Sequence, residues 1–306
     1  MRILQIVTAW LILIVIPHCG IHGFGYSKRE QHLWPKKYKL CAGKRQSPVA
    51  ICTSKAIVKP FPALELIGYH DFFPMPQLLK NNGNTVILRV DKNETQVHRT
   101  LPYIFGGMLR NQTFEMEEVH FHWGLKNNRG AEHVLNGLRY SMETHIIHYN
   151  MAYGNYVNAA QHDDGIAVVA SFFQLQDEDN ERLQPFISKL SDVQWAHTEL
   201  SVNIYLTLAS LIPSNTDVFY AYKGSLTTPP CNEVVTWHIF ANPIPISFHQ
   251  MNMFRKLLNG EGILGDNFRL LQDIGQRKIY IRRLDPTIST KDIKHGDFTN
   301  LSWFWV

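Results

Sequence analysis

Between Thr85 and Arg282, apolar residues recur at every second position in eight short stretches, a pattern satisfied by extended strands that bury one face. The stretches are 85–90, 118–123, 143–149, 166–173, 202–206, 218–222, 234–240 and 278–282. Two segments show helical spacing instead. Residues 181–190 place Leu183, Phe186, Ile187 and Leu190 on one face. Residues 247–259 begin with Ser247 and Gln250, spaced as a capping box, and end at Gly260. No internal repeat or linker-like break divides residues 24–285, so one mainly β domain is expected.

The ends of the chain read differently. Arg2 precedes an apolar run over 3–16, and the small residues Cys19, Gly20 and Gly23 follow, as in a signal peptide spanning 1–23. That run is shorter than the roughly 20 apolar residues of a membrane span. The domain then covers 24–285, and a polar tail, 286–306, ends in Trp303-Phe304-Trp305-Val306. A lipid-anchor signal needs about 10–20 apolar residues there, so no stable membrane anchor is expected and the protein reads as secreted. The formal charge is +4 with Lys and Arg scattered, which excludes the basic stripe of a nucleic-acid binder. Secretion makes the cysteines disulfide candidates. Once Cys19 leaves with the leader, Cys41, Cys52 and Cys231 can form one internal bridge with one thiol left over. Asn93, Asn111 and Asn300 each begin a glycosylation tripeptide.

Chemistry concentrates in the stretch Glu118-Val119-His120-Phe121-His122-Trp123-Gly124. On a strand His120 and His122 point to one side while Val119, Phe121 and Trp123 pack on the other. That pattern alone also suits a half-exposed strand with two solvated histidines. A second stretch sharpens it. Glu143, His145, Ile147 and Tyr149 share a face, which sets a carboxylate beside His145 to hold its outer ring nitrogen. His148 falls on the opposite face, as a structural residue. Three neutral histidines without a thiolate describe a catalytic zinc site whose fourth position takes water.

The strings H-F-H-W-G at 120–124, G-A-E-H at 130–133 and E-T-H-I-I-H-Y-N at 143–150 resemble the active-site core of the α-class carbonic anhydrases, in their extracellular form. Gly224-Ser225-Leu226-Thr227-Thr228-Pro229-Pro230, Val235-Thr236-Trp237, Arg45-Gln46-Ser47-Pro48-Val49 and Asp266-Asn267-Phe268-Arg269 extend the likeness over about 25–282. The resemblance implies a twisted, mostly antiparallel sheet of about ten strands with a few short peripheral helices. It implies Zn2+ on His120, His122 and His145, and reversible hydration of carbon dioxide to bicarbonate. Thr227 would accept a hydrogen bond from the nucleophile and pass its own proton toward Glu132. Thr228 would contact bicarbonate, and Ile147, Val168, Leu226, Val235 and Trp237 would wall the carbon dioxide pocket. Glu118, Glu143, Asn267 and Tyr26 would support the site from behind. Cys41 would pair with Cys231, leaving Cys52 as a buried free thiol, with a disulfide-linked dimer as the alternative.

Two positions depart from that family pattern. Asn84 stands where a proton-shuttling histidine is usual, and its amide cannot titrate near neutral pH. Glu118 stands where a glutamine usually bonds the first ligand. The rival reading is a secreted, non-catalytic relative acting as a binding or matrix protein, but such relatives generally lose a zinc histidine and this chain keeps all three.

Overall fold

A computed structural model of the chain describes residues 24–92 and 101–283. The expected leader, the whole of the tail, and the acceptors Asn93 and Asn300 lie outside the described residues.

Ten strands cross one sheet. In chain order they are β1 (Ile57–Val58), β2 (Gln77–Asn81), β3 (Val86–Val90), β4 (Phe114–Trp123) and β5 (Met142–Asn150). The second half supplies β6 (Ile166–Gln176), β7 (Thr198–Val202), β8 (Phe219–Gly224), β9 (Val235–Phe240) and β10 (Tyr280–Arg282). Their lateral order is β7-β2-β3-β4-β5-β6-β9-β8-β10-β1. Neighbours run antiparallel except β6 with β9 and β10 with β1. Leu64–Ile67, Tyr103–Gly106 and Ile244–Ser247 join from the sides to make thirteen strands among the described residues. The expected mainly β single domain is therefore the fold, somewhat wider than ten strands.

Four short helices accompany the sheet: α1 (Lys28–Lys37), α2 (Tyr156–Ala159), α3 (Gln184–Ile187) and α4 (Phe248–Phe254). α4 carries the expected box, with the Ser247 and Gln250 side chains capping each other's backbone. It ends five residues before Asn259, because Leu258 N–H turns away to Gln194 O and Asn259 Oδ1 closes a turn with Glu261 and Gly262. The helix expected over 181–190 shrinks to one α turn. Lys189 N–H bonds back only three residues, to Phe186 O, and a 3-10 turn (Leu190–Val193) follows; the face of Leu183, Phe186, Ile187 and Leu190 is buried as expected. The strand expected over 202–206 stops at Val202, since the Gln77 amide takes both Ile204 N–H and Ile204 O in place of a ladder partner. α1 was not evident from apolar spacing, yet Ser27 and Glu30 form a second capping box.

The sheet buries both faces. Ile146, Val169 and Phe240 face one core, and Ile147, Val168 and Trp237 face the other. On β4 the inward parity changes midway, from Phe114 and Met116 to Val119, Phe121 and Trp123. The cause is a bulge: Met116 pairs with His148 and Glu118 with Ile147, so Glu117 is an extra residue. His120 and His122 are thereby turned away from the first core.

Cys41 and Cys231 are bonded, packing beside Trp34 of α1, as the resemblance implied. Cys52 is free but half-buried and not buried as expected, because it lies at the start of a surface 3-10 turn (Thr53–Lys55) with Sγ 3.2 Å from Ser54 Oγ.

His148 and His238 are both fully buried in the first core, and burial pushes each down to about 3. The folded protein keeps them neutral, whereas the unfolded chain takes up protons below about 6.5. Stability is therefore full above that pH and falls as pH drops toward 3, by at most about 1.4 kcal/mol per unit for each histidine. Met108 N–H donates to His238 Nε2 at 3.0 Å. The variant His238→Gln keeps an acceptor there and removes the titration, so its urea midpoint should fall less steeply with acid; an unchanged slope would count against this role.

Candidate metal centre

β4 and β5 lie side by side, with His120 opposite His145 and His122 opposite Glu143. The strand pleat turns all three imidazoles to one face, where their inner nitrogens meet. His145 Nδ1 is 3.1 Å from His122 Nε2 and 3.3 Å from His120 Nε2. Each outer nitrogen has its own acceptor. His120 Nδ1 donates to Glu118 Oε1 at 3.0 Å, His122 Nδ1 to Asn267 O at 2.8 Å and His145 Nε2 to Glu143 Oε1 at 2.8 Å.

Those acceptors fix the tautomers. A carboxylate or carbonyl can only accept, so each ring carries its proton outward and its lone pair inward. Three lone pairs then face one another with no proton between them. Protonation is a poor remedy, since burial, with neighbouring His145 and His120, holds His122 well below the usual imidazole range. Burial likewise holds His145 down at about 4, against the pull of Glu143. A metal cation satisfies all three lone pairs at once. Neutral nitrogen donors with one open side fit Zn2+, and these residues could hold it.

Behind this cluster runs a chain of buried hydrogen bonds that sequence reasoning left without a role. Glu143 Oε1 also takes His133 Nδ1 at 2.7 Å, and Glu143 Oε2 takes His133 N–H at 2.8 Å. Burial pushes Glu143 up, but the two histidines outweigh it and hold the carboxyl well below its usual range. His133 Nε2 meets Tyr222 OH at 2.8 Å, and Tyr222 OH donates to Ser47 Oγ at 2.8 Å. The available signal was the place of His133 beside Glu132 in the quoted string G-A-E-H; its complete burial appears only in the structure.

Glu132 is fully buried, with Oε1 accepting from Arg269 N–H at 2.7 Å and Oε2 3.5 Å from His122 Nε2. Burial raises its pKa to about 8, opposed by the Thr227 hydroxyl and by Arg269 N–H. Thr227 is thus close enough to act on the carboxyl, although no bond of ordinary geometry closes onto Oε2. Asn267 serves twice over. Its carbonyl holds His122, while its side chain takes Trp123 N–H at 2.7 Å and donates to Asn84 O at 2.9 Å. Tyr26 packs edge-on against Phe24 and Trp34 with its hydroxyl within reach of the Glu132 charge; burial and then Glu132 push that hydroxyl well above the usual phenol range.

The apolar positions fall in one row. Ile147, Val168 and Trp237 are register partners across β5, β6 and β9, Val235 sits two residues from Trp237, and half-buried Leu226 packs on the same cluster. Trp237 meets His145 edge-on at 4.8 Å, which joins this wall to the imidazoles. Half-buried Thr228 begins the turn that Cys231 N–H closes onto Thr228 O at 2.9 Å, so the disulfide tethers the loop that carries Thr227. Asn84 is half-buried in the turn between β2 and β3.

Residues 29–283 match the family model of the eukaryotic-type carbonic anhydrases. The chain is 33% identical to carbonic anhydrase 15 of Mus musculus over 258 residues, 80% of this chain and 78% of that protein. It is 35% identical to carbonic anhydrase 7 of Homo sapiens over 246 residues, 78% and 87% of the two chains. With carbonic anhydrase 6 of Bos taurus it shares 31% over 281 residues, 88% and 83%.

Glu143 acts through His145 by fixing its tautomer, so Glu143→Ala should weaken Zn2+ binding about 10–100-fold. A competition titration against a chromophoric chelator measures this. Affinity equal to wild type would show that His145 needs no outer acceptor.

Proposed function

The chain belongs to the eukaryotic-type carbonic anhydrases, and from that membership we propose that it is a secreted zinc enzyme that hydrates carbon dioxide reversibly, with proton transfer slowed at Asn84. The family acts on carbon dioxide and bicarbonate. The observation that carries the zinc reading is the meeting of three inward lone pairs whose ring protons are all held outward. A bound zinc ion would supply acidity, lowering the pKa of coordinated water to about 7.

The chain's own residues do the rest. His120, His122 and His145 would hold the ion as neutral donors, which add no negative charge to it. Glu132 would accept from the Thr227 hydroxyl, which would leave Thr227 Oγ to accept from the nucleophile and aim its lone pair. Carbon dioxide, lacking a strong dipole, rests on Ile147, Val168, Leu226, Val235 and Trp237, where water gains little. Thr228 contacts the bicarbonate product. The Cys41–Cys231 bond, the apolar leader and the exposed acceptor Asn111 support secretion and glycosylation. Among the described residues no helix is long and apolar enough to cross a membrane. Cys52, half-buried, remains a free thiol in this reading. The non-catalytic alternative is disfavoured because the imidazoles and all three outer acceptors are retained together.

A stopped-flow hydration assay tests the proposal. Turnover should vanish with a strong chelator, return with Zn2+, and be blocked by an aromatic sulfonamide; a protein that binds stoichiometric zinc yet stays inactive would favour the binding-protein reading. With Asn84 in place, turnover should rise with buffer concentration. The variant Asn84→His should raise it in dilute buffer, by the low end of the roughly 10²–10⁴-fold range for general acid–base groups or less.

Glu118 gives a separate expectation. A carboxylate on His120 Nδ1 makes that ring a stronger donor than an amide partner would. A stronger donor leaves less charge on the metal, so the pH–rate midpoint should lie lower in Glu118→Gln than in wild type. Identical midpoints would dismiss the effect.

A further inference from the structure

On the face of the sheet opposite the histidines, a cleft of about 1020 Å³ opens beside β8, β9 and β10. Its floor is apolar, with Phe61, Phe105, Met108 and Tyr280 among the lining residues. Its walls carry four cations, Arg45, Lys59, Arg110 and Lys223, against two carboxylates, Asp163 and Asp164.

Both carboxylates are already engaged. Asp163 pairs with Arg45 at 3.1 Å, and Asp164 receives Gln112 Nε2 at 2.6 Å and Tyr153 OH at 2.7 Å. Among the described residues Lys59, Arg110 and Lys223 have no carboxylate within 4.0 Å. Lys59 instead lies over the rings of Phe61 and Tyr280, at 5.3 and 5.1 Å from their centroids. Lys223 is the most committed of the three. It is half-buried, faces Thr236 across the β8–β9 register, and donates to Thr236 Oγ1 at 2.6 Å. Burial pulls its ammonium below the usual lysine range, a penalty that a facing anion would relieve.

The combination selects a ligand class. A free inorganic anion would leave the aromatic floor unused, and a neutral apolar molecule would strand the cations. A volume near the upper end of the roughly 300–1,000 Å³ typical of ligand pockets admits a body of two or three rings or a folded alkyl chain. We propose that this cleft binds an amphipathic organic anion, its apolar body on Phe61, Phe105 and Met108 and its acidic group against Lys223 and Arg110. Thr236 sits between Val235 and Trp237 on β9 but points to the other face, so the ligand and the metal centre occupy opposite sides of one strand.

The probe is 8-anilinonaphthalene-1-sulfonate, titrated by fluorescence into the zinc-loaded full chain with its metal centre saturated by an aromatic sulfonamide. One saturable site should remain and weaken as salt rises from about 50 to about 500 mM, as screening of exposed cations requires. Lys223→Met and Arg110→Ala should each weaken it about fivefold or more, a loss of roughly 1 kcal/mol, with carbon dioxide hydration unchanged. The uncharged analogue N-phenyl-1-naphthylamine should bind the wild type no better than it binds the variants. If Lys223→Met fails to fold, Arg110→Ala decides alone, since Arg110 is exposed. Equal affinity in wild type and folded variants, or displacement of the probe by the sulfonamide, would overturn the proposal.

Discussion

Three imidazoles can share so small a space only if each sends its proton to something outside the cluster. Glu118, the Asn267 carbonyl and Glu143 do this, one for each ring, from three different places in the chain. Two of the acceptors lie on the same strands as their histidines, two residues away. The third comes from 145 positions downstream and ties the C-terminal segment to β4. Much of the local architecture serves these bonds: Asn267 is itself held against Trp123 N–H, and Glu143 against His133. Removing an outer acceptor would free a ring to turn its proton inward, where it would compete with a cation.

The bulge at Glu117 does for the strand what those acceptors do for the rings. Without it β4 would keep its early parity, and the even positions His120 and His122 would follow Phe114 and Met116 into the first core. One inserted residue reverses the strand's faces, so a single strand anchors one core with Phe114 and Met116, keeps anchoring it with Phe121 and Trp123, and still offers two histidines to the other side. The same two-faced economy recurs on β9, where Trp237 leans on His145 while Thr236 and His238 look the other way.

Strand parity accounts for how much could be read in advance. The pairing of His120 with His122 and of Glu143 with His145 is local, and alternation alone puts each pair on one face. That the two strands are neighbours, in a register setting His120 against His145, is a long-range fact supplied only by resemblance to a family. The reversal at Glu117 left a visible trace, since Glu117-Glu118 interrupts the apolar alternation, but two adjacent acids equally suit a strand that simply ends in solvent. The strand misplaced at 202–206 shows the converse. Its alternation is genuine, and Ile204 and Leu206 are buried, yet a single glutamine side chain supplies the hydrogen bonds a strand would have made. The expected end of α4 failed for a similar reason, because the distant carbonyl of Gln194 captures Leu258 N–H before propensity is exhausted.

The turn at 82–85 shows why the most consequential departure from the family pattern is structurally cheap. The turn is closed by Asn82 Oδ1, which accepts from both Asn84 N–H and Thr85 N–H at 2.8 Å. Its tie to the metal centre runs from Asn267 Nδ2 to the backbone carbonyl of Asn84, not to its side chain. Any residue at 84 can make that bond. The position is therefore free to gain or lose a titrating group without moving His122, whose own acceptor is the carbonyl of the same Asn267. In the proposed reading, the tie that steadies Asn267 and the group that would deliver protons are therefore separable, since the first rests on the Asn84 carbonyl and the second on the side chain at that position.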